Sequence, residues 1–484
     1  MSGVDAVVIG SGPNGLAAAI ELARAGRSVL VREAADELGG GLRSGEVTLP
    51  GFVHDLCSAI HPMAAASPFF RSVPLEEHGL EWIEPPLQLA HPLDGGRAVV
   101  LRRSVDETAS ALGEDAQAYA RIFRPLVKDW PQLESSVLGP LVRIPRHPIA
   151  MTRFGLDALW PASRFARRRF EGEAARALFA GLAAHSILSL DRLASASFGL
   201  VLGVTGHAVG WPLPRGGSQA IGNALASYLR SLGGEIATGS PVESLDELAG
   251  VETVLCDVTP RQFLKLAGDR LDGRYRRALE RFRYGPGVFR LDWALSGPIP
   301  WADPDSGSAG TVHLGGTLDE IVASERTPER GETSDRPFVL LAQPTSFDPS
   351  RAPKGQHIAW AYCHVPNGST SDRTEAIERQ IERFAPGFGE LVLARKAMGP
   401  AELERRNANL VGGDIAGGSN ELSQLIARPA LRPVPYSTPL DGVYLCSAST
   451  PPGGGVHGMC GYSAALTALR DGSKRDPRPR SSTP

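Results

Sequence analysis

Seven residues near the start of the chain have the types and the spacing needed to hold a dinucleotide diphosphate. Residues 10–15 read Gly-Ser-Gly-Pro-Asn-Gly, which is the G-x-G-x-x-G pattern. In such a turn the first glycine permits the tight bend, the second admits a diphosphate to the backbone, and the third lets helix and strand pack closely. Glu33 follows eighteen residues after Gly15, where its carboxylate can accept hydrogen bonds from ribose hydroxyls. These residue types predict a dinucleotide site made of Gly10, Ser11, Gly12, Pro13, Asn14, Gly15, Glu33 and the adjacent Ala34.

The elements that must position this turn are readable around it. Val4–Ile9 is a short apolar run typical of a buried parallel strand, and Ser28–Val31 predicts a second strand. Between them Leu16–Ala25 predicts a helix that ends at Gly26, and its N-terminal amides would point at the diphosphate. A glycine turn without a ligand is the alternative, but the order of strand, glycines, helix, strand and acid favours a dinucleotide. Glu33 disfavours a 2′-phosphate, and these residues leave NAD and FAD both open.

The next segment resembles a known family. Residues 34–44 read Ala-Ala-Asp-Glu-Leu-Gly-Gly-Gly-Leu-Arg-Ser, and they resemble the glutathione-reductase-type flavoproteins of the amine oxidase and phytoene desaturase superfamily. In that superfamily the corresponding backbone and arginine approach the flavin's pyrophosphate and ring. The resemblance therefore implies that the cofactor is FAD, bound also by Gly40, Gly41, Leu42 and Arg43.

Two later segments are similar to the same family, in the same order. Residues 212–242 are similar to the run that holds the adenine, which implies that Val242 lies at that ring. Residues 447–458 look like the glycine-rich signature before the last helix of phytoene desaturases, which implies flavin contacts from Ser449, Gly455, Val456 and His457. The chain departs from that signature, because Ser447 and Ser449 replace glycines, Pro451 replaces a histidine and His457 replaces a proline.

Three polar residues are candidates for acid–base chemistry beside the flavin. The resemblance continues through residues 45–65 and brings Asp55 and His61 near the flavin edge, where either could relay a proton. His457 would lie beside the ring and is the third candidate. The alternative for Asp55 and His61 is a solvated loop with ordinary caps. The alternative for His457 is a histidine that only packs or caps.

The fold class implied is α/β, with a glutathione-reductase-type Rossmann-like FAD domain and an inserted mixed α/β substrate domain. We assign 1–104, 211–284 and 435–470 to the FAD domain, and 105–210 and 285–434 to the helical and sheet parts of the substrate domain. In the helical part we predict helices over Val105–Val127, Trp130–Val142 and Glu171–Leu190. The polar residues 471–484 are predicted to be a disordered tail.

The family resemblance implies an FAD-dependent oxidoreductase of the dehydrogenase or desaturase type. The flavin N5 would take a hydride from an apolar, isoprenoid- or carotenoid-like substrate, and oxygen, a quinone or another acceptor would reoxidise it. An amine oxidase is a second hypothesis, for which only Lys265, Lys354 and Lys396 could supply the lysine that such enzymes carry near N5. A flavin-bound regulatory or partner-binding protein without redox activity is a third.

Composition narrows the partners and the compartment. The formal net charge of −3 gives no reason to expect nucleic acid, and no metal site is predicted. The five cysteines contain no C-x-x-C, which predicts reduced thiols in the cytoplasm and argues against a disulfide reductase. The first strand begins at Val4, so we expect no signal peptide.

Two segments raise the question of a membrane. Ala194–Trp211 is predicted to be a buried segment rather than a membrane span. Leu141–Phe170 is basic and aromatic, with arginines at 143, 146, 153, 164 and 167–169. A peripheral contact with an anionic membrane surface and a solvated arginine-rich face are equally good interpretations of this segment.

Overall fold

A computed structural model describes residues 3–141 and 145–475 of the chain. The strands are β1 (Ala6–Ile9), β2 (Val29–Arg32), β3 (Ser44–Glu46), β4 (Val53–Asp55), β5 (Trp82–Ile83), β6 (Leu87–Leu93), β7 (Arg97–Leu101), β8 (Leu213–Pro214), β9 (Glu235–Ala237), β10 (Thr253–Cys256), β11 (Gly287–Leu295), β12 (Ala309–Leu314), β13 (Val339–Ala342), β14 (His357–Val365), β15 (Val392–Met398) and β16 (Val443–Leu445). The helices are α1 (Pro13–Arg24), α2 (Pro62–Ala66), α3 (Pro68–Arg71), α4 (Val105–Ser110), α5 (Ala116–Val137), α6 (Pro148–Ala158), α7 (Ala162–Arg169), α8 (Glu173–Ala184), α9 (Ser195–Ala208), α10 (Gln219–Ser231), α11 (Pro260–Ala267), α12 (Gly273–Glu280), α13 (Pro304–Gly307), α14 (Leu318–Arg326), α15 (Thr374–Phe384), α16 (Pro400–Arg406), α17 (Leu422–Ile426) and α18 (Met459–Arg475).

A five-stranded parallel sheet carries the glycine-rich turn. Its strand order is β16-β10-β1-β2-β9, so the first strand of the chain lies at the centre. Alternate residues of β1 face opposite layers: Val8 packs with α1, α10 and α18, whereas Val7 and Ile9 pack with α11 and α12. This doubly covered parallel sheet confirms the predicted Rossmann-like fold class.

Helix α1 begins three residues before its predicted start. Pro13 is its first residue, a position where the missing N–H costs nothing because the first turn of a helix has no acceptor for it. The alanine-rich face that follows is buried from Leu16 to Ile20. The turn and the helix are therefore continuous, and the amides of the first turn face the end of β1.

A second, seven-stranded sheet has the order β15-β11-β14-β13-β12-β6-β7. It is antiparallel except for the β12–β6 pair. The range assigned to the sheet part of the substrate domain, 285–434, holds five strands of this sheet. The hairpin of β6 and β7 joins the same sheet through the pairing of β6 with β12, although it lies within 1–104, and the domain bounds stay a prediction. The partner strand lies more than two hundred residues further along the chain, so the local pattern could not reveal it.

One face of this sheet packs against a layer of helices. Leu89, Leu340 and Trp360 share a core with α5, α8 and α9. The opposite face packs against α15 through Ile377, Ile381 and Phe384. The predicted arrangement, a sheet faced by a helical insertion, matches this layering.

The helical layer differs from its prediction in where it breaks. The break expected between 127 and 130 does not occur, because α5 runs from Ala116 to Val137 through Pro125 and Pro131. Each proline removes one backbone hydrogen bond, but Leu126, Trp130 and Leu133 are buried on the helix and hold it together. The chain breaks instead near Gly113, whose φ is +57°. Helix α8 ends at Ala184, six residues before its predicted end.

Ala194–Trp211 forms the buried helix α9 and the turn after it, as predicted. Among the described helices, none combines the length and the apolar composition that crossing a bilayer requires. Helix α18 extends to Arg475, so the first five residues of the predicted tail are helical. Residues 476–484 lie outside the described residues, as does Arg143 of the basic segment.

Candidate dinucleotide and flavin site

The glycine-rich turn is packed as tightly as its sequence predicts. Gly10 has φ = +100°, a backbone conformation that residues other than glycine rarely adopt. A Cβ on Gly15 would lie 2.0 Å from the carbonyl oxygen of Gly10, so only glycine lets α1 approach β1. The amide of Asn14 lies in the first turn of α1, where no preceding carbonyl can accept from it. The turn thus presents bare backbone and the N–H group of Asn14, which suit a diphosphate.

Glu33 lies against this turn at the end of β2. One carboxylate oxygen accepts from the N–H of Ser11 at 2.8 Å and from its hydroxyl at 2.7 Å, and the other accepts from the N–H of Ala35 at 2.9 Å. A carboxylate has about four acceptor positions, which leaves room for a ribose hydroxyl. Ser240 donates its N–H to the Glu33 carbonyl oxygen at 2.8 Å. Val242, which is partly buried, follows two residues after Ser240.

Two further glycine segments lie against the same turn. A Cβ on Gly40 would lie 3.0 Å from the Cα of Gly12. A Cβ on Gly461, in the first turn of α18, would lie 1.7 Å from the carbonyl oxygen of Asn14. The N-termini of α1 and α18 are therefore adjacent, and residues 10–15, 39–43 and 453–458 surround one place in the fold. These residues fit the FAD that the resemblance implies.

The turn of residues 40–43 is held closed by backbone contacts. Arg43 donates from Nε to the Gly40 carbonyl at 3.1 Å and from Nη2 to the Arg406 carbonyl at 2.5 Å. Ser58 donates its hydroxyl to the Gly41 carbonyl at 3.1 Å, and Leu42 is buried. Arg43 therefore braces the turn as well as lying at its rim.

Asp257, at the end of β10, is a site residue that our sequence reasoning missed. Its carboxylate accepts from the Gly15 N–H at 2.9 Å and lies 2.7 Å from where a Cβ on Gly12 would be. Burial raises its pKa to about 7, since the Gly15 amide only partly offsets the lost hydration and Glu33 adds repulsion. The available signal was an acidic residue at the carboxyl end of a buried parallel strand, where ligands of such sheets bind.

The proposed acid–base role of His457 is not supported by its hydrogen bonds. The ring Nδ1 accepts from the Met459 N–H at 3.0 Å, so the proton is on Nε2, which faces the Gly453 carbonyl at 3.2 Å. Burial lowers its pKa to about 4, and the backbone acceptors only partly offset that effect. Because both nitrogens are occupied by backbone groups, His457 joins the 453–455 turn to the start of α18. These contacts fit a structural role, and an acid–base role of His457 stays a prediction.

Ser449 also contacts backbone in this segment. Its hydroxyl donates to the Gly417 carbonyl at 2.7 Å, which ties the last cofactor segment to the glycine-rich stretch 412–418. Gly455 has φ = +123°, and a Cβ there would meet the His457 ring at 3.2 Å. Val456 follows it and is partly buried in the core around α1. These positions leave the backbone of the turn as the surface that a ring could contact.

The carboxylate of Asp55 lies in a buried ion pair with Arg351. Its carboxylate lies 2.8 Å from Nη1 of Arg351 and accepts from Ser44 Oγ at 2.8 Å and the Ser218 N–H at 2.6 Å. Asp55 and Arg351 are both buried. Burial raises the pKa of Asp55, but the Arg351 guanidinium and the two donors outweigh it and hold the pKa below its ordinary value. A carboxylate that stays charged has no proton to give, so this environment weighs against a proton relay by Asp55, and the relay stays a prediction.

His61 keeps one free nitrogen. The Ser218 hydroxyl donates to the Ser58 carbonyl at 2.5 Å, so it must accept from His61 Nε2–H at 2.9 Å. The Nδ1 lone pair is buried and has no partner among the residues that the structure describes. Burial lowers the pKa of His61 to about 4, so the ring is a neutral acceptor. His61 Nδ1 is therefore able to take a proton or a hydrogen bond, and the role of His61 stays a prediction.

A second unpredicted residue, Arg290, lies on β11 beside Asp55. It contacts the Asp55 carbonyl and pairs with Asp292 at 2.5 Å. Its guanidinium lies 5.3 Å from the centre of the Trp360 ring, and its Nη1 is buried without a hydrogen-bond partner in the described part of the chain. Tyr362 lies opposite Arg290 in the strand register and is partly exposed although its strand is central. In the sequence, Arg290 is a single arginine within a predicted strand, and no motif marks it as a site residue.

The three lysines considered for amine oxidation lie away from this place. Lys265 is 76% exposed and pairs with Glu243, Lys396 pairs with Glu402 at 3.4 Å, and Lys354 is exposed. Among the described residues no group of histidines, cysteines and carboxylates has a geometry that could hold a metal ion.

Comparison with known proteins agrees with this geometry. A family described as an NAD(P)-binding Rossmann-like domain matches residues 8–72. Pyridine nucleotide-disulfide oxidoreductase domain-containing protein 2 of Mus musculus is 27% identical over 96% of this chain and 93% of its own length. Phytoene dehydrogenase of Streptomyces griseus is 26% identical over 84% of this chain and 80% of its own length. Over most of its length the chain is therefore similar to oxidoreductases of the phytoene desaturase group.

Solved structures show the same fold. An oxidoreductase from Methanosarcina mazei superimposes with a TM-score of 0.65 at 16% identity, covering 96% of this chain and 99% of the other. A triple mutant of putrescine oxidase superimposes with a TM-score of 0.62 at 17% identity, covering 97% and 99%. At such low identity the likeness concerns the fold alone, which this chain shares with both structures.

Proposed function

We propose that the chain is an FAD-dependent oxidoreductase of the dehydrogenase or desaturase type. It acts on a C–H bond of an apolar, isoprenoid- or carotenoid-like substrate. The observation that carries the FAD assignment is the meeting of three glycine-rich turns, 10–15, 39–43 and 453–458, at the start of α1. A Cβ on Gly458 would lie 3.0 Å from the Cβ of Ala17, so this third turn also lies against α1. Three backbone surfaces without side chains suit a long dinucleotide that runs from an adenosine to a ring system.

Each part of the cofactor has a candidate partner. The Gly10–Gly15 turn and the N-terminus of α1 would hold the diphosphate, Glu33 the ribose, and the backbone at Val242 the adenine. The backbone of Gly455 and Val456 would face the flavin ring. When bound, FAD supplies the acceptor for a hydride, and the protein supplies orientation and a dry site. Asn14 Oδ1, His61 Nδ1 and Arg290 Nη1 are among the buried polar atoms that have no hydrogen-bond partner in the described part of the chain.

The names of relatives support an apolar substrate. The second sheet and the helical layer share an apolar core that includes Leu89, Leu340, Trp360, Phe338 and Phe123. Relatives named phytoene dehydrogenase and phytoene desaturase support an isoprenoid. Tyr362 and Arg290 add polar groups at the end of this core that is nearest to Asp55.

Amine oxidation is the second candidate, favoured by the shared fold with putrescine oxidase. The positions of the three lysines weigh against it, since Lys265 and Lys354 are exposed and Lys396 is half-buried and paired with Glu402. A partner-binding protein with a non-redox flavin would retain FAD and show no turnover with either substrate class.

The test is an anaerobic visible-absorbance titration of the purified protein reconstituted with FAD. NADH and NADPH come first, then phytoene in detergent, then putrescine. We expect the flavin band to bleach with phytoene or a related isoprenoid and to stay oxidised with putrescine. Bleaching by either nucleotide would instead indicate a reductase, and bleaching by putrescine an amine oxidase. A folded protein that cannot take up FAD would refute the proposal as a whole.

A further inference from the structure

We propose that helices α6 and α7 form a docking surface for an anionic lipid bilayer. The inference rests on side chains at the outer side of the helical layer, far in sequence from the glycine-rich turns. It does not depend on the cofactor or on the substrate. We call this surface the α6–α7 face and define it by Ile149, Leu156, Leu159, Trp160, Leu193, Arg146, Arg164 and Arg168.

Large apolar side chains protrude from this face. Ile149 is 78% exposed, Leu156 is 68% exposed and Leu193 is 59% exposed. Leu159 and Trp160 are 53% and 37% exposed. Ile149 and Leu156 are seven residues apart on α6, so they project from one side of the helix. A contiguous apolar patch of this kind on an otherwise ordinary surface marks an interaction site.

The opposite side of the same helices anchors them to the protein. Ala150 and Ala158 of α6 are buried, and Phe165 and Ala166 of α7 pack in the core of the helical layer. The exposed residues are therefore held on a fixed support. Between α6 and the start of α9 lies a groove of about 610 Å³, lined by Leu156, Leu159, Trp160, Leu193 and Arg164 among others.

Charge decides which occupant this face suits. Residues 145–170 contain six arginines and one aspartate, although the whole chain has a formal net charge of −3. Arg153, Arg167 and Arg169 are neutralised by Asp129, Asp319 and Asp157. Arg146, Arg164 and Arg168 are exposed, and across residues 3–141 and 145–475 no ion pair is found for them.

The unpaired arginines and the apolar side chains occupy one surface. Arg164 and Arg168 are one helical turn apart on the exposed side of α7, and Arg164 borders the apolar groove. Positive side chains around protruding leucine, isoleucine and tryptophan match the two layers of a membrane surface, with anionic headgroups outside and acyl chains beneath. A protein partner would need a hydrophobic patch bordered by carboxylates. A second copy of this chain would bring the same arginines together and repel.

The experiment measures sedimentation of the full-length protein with vesicles. One vesicle is phosphatidylcholine containing phosphatidylglycerol, and the other is phosphatidylcholine alone. We expect binding to the anionic vesicle, weaker binding to the neutral one, and loss of binding at high salt, since the Debye length shortens from about 10 Å to about 3 Å between 0.1 and 1 M salt.

Matched variants separate this face from a general effect. Ile149→Glu and Leu156→Glu should each lower vesicle affinity about tenfold or more, because each removes one buried aliphatic side chain from the bilayer. Leu431→Glu changes a side chain that is 77% exposed elsewhere and should leave binding unchanged. Arg164→Glu with Arg168→Glu should abolish the preference for phosphatidylglycerol, whereas Arg281→Glu with Arg330→Glu, two exposed arginines elsewhere, should not.

Three results would overturn the proposal. The wild-type protein could fail to sediment with either vesicle, or the Leu431 and Arg281/Arg330 controls could lose as much binding as the test variants. The third result would be a dimer in light scattering that the substitution Leu156→Glu dissociates, because the α6–α7 face would then be a protein interface. Bound-flavin content, measured on the same samples, reports the cofactor site separately. Failure of docking and failure of the proposed redox function are therefore distinguishable.

Discussion

The buried Asp55–Arg351 pair allows the structural role of Asp55 to be separated from a catalytic one. Asp55→Asn keeps the size of the side chain and removes its charge, which leaves the Arg351 guanidinium buried without a counter-ion. Removing one partner of a buried ion pair costs about 3–5 kcal/mol. We expect a loss of about 3 kcal/mol in the free energy of unfolding. The lower end applies because Arg351 keeps its contacts to the Val53 carbonyl at 3.2 and 3.0 Å.

A double-mutant cycle checks this magnitude. Arg351→Met alone leaves a buried carboxylate, and the double variant Asp55→Asn/Arg351→Met removes both charges. We expect the double variant to be more stable than the sum of the single losses by about 2 kcal/mol, within the range that coupled neighbours show. Urea unfolding followed by tryptophan fluorescence gives all four values. The exposed pair Lys265–Glu243 is the control, with an expected coupling of about 0–1 kcal/mol.

The pH dependence has a definite sign. The pKa of Asp55 is lowered in the folded protein, so its contribution is present above the unfolded pKa of about 3.9 and is lost as the pH falls through the folded value. The difference in the free energy of unfolding between the wild-type protein and Asp55→Asn should therefore become smaller in acid. If Asp55→Asn unfolds within about 0.5 kcal/mol of the wild type but loses turnover, Asp55 acts in the chemistry and our reasoning fails.

Three further predictions concern the cofactor site. Gly15→Ala should abolish FAD uptake and lower the free energy of unfolding by about 1–3 kcal/mol or more, because the new Cβ would lie 2.0 Å from the Gly10 carbonyl oxygen. Gly45→Ala is the control: nothing lies within 4 Å of its Cβ, so this variant should keep the flavin absorbance. His457→Phe removes a hydrogen-bond acceptor at the start of α18 and should lower the free energy of unfolding by about 1–2 kcal/mol. The pH profile of turnover should not change. If one ionisation disappears from that profile, His457 has an acid–base role. Burial lowers the pKa values of His61 and His457 to about 4, whereas an unfolded histidine has a pKa of about 6.5. Because the unfolded chain binds these protons first, the free energy of unfolding should fall by up to about 1.4 kcal/mol per pH unit for each histidine as the pH drops from 6.5 toward 4. Urea midpoints measured between these pH values check this, and a flat profile would contradict it.

Much of the dinucleotide site was predictable because its parts are neighbours in the chain. The strand, the glycines, the helix and Glu33 lie within 33 residues, and hydrophobic pattern and glycine conformation are local properties. Resemblance to a known family then placed the two later glycine turns in order. The contacts of Asp55 and His457 were not predictable in this way. Asp55 is engaged by Arg351 on a distant segment, and His457 is held by backbone groups whose direction depends on the turn itself.

The residue types and the spacing along the chain determined the parallel strand, the diphosphate turn and the layered architecture. Only the tertiary structure decided which polar side chain keeps a free atom, since a proton's location depends on burial and on partners that folding brings together. It also decided which arginines remain unpaired, since Arg153, Arg167 and Arg169 lie in one sequence cluster with Arg164 and Arg168 but meet carboxylates of other elements. A sequence lists the charges, and the packing of helices and strands selects those that stay free to act.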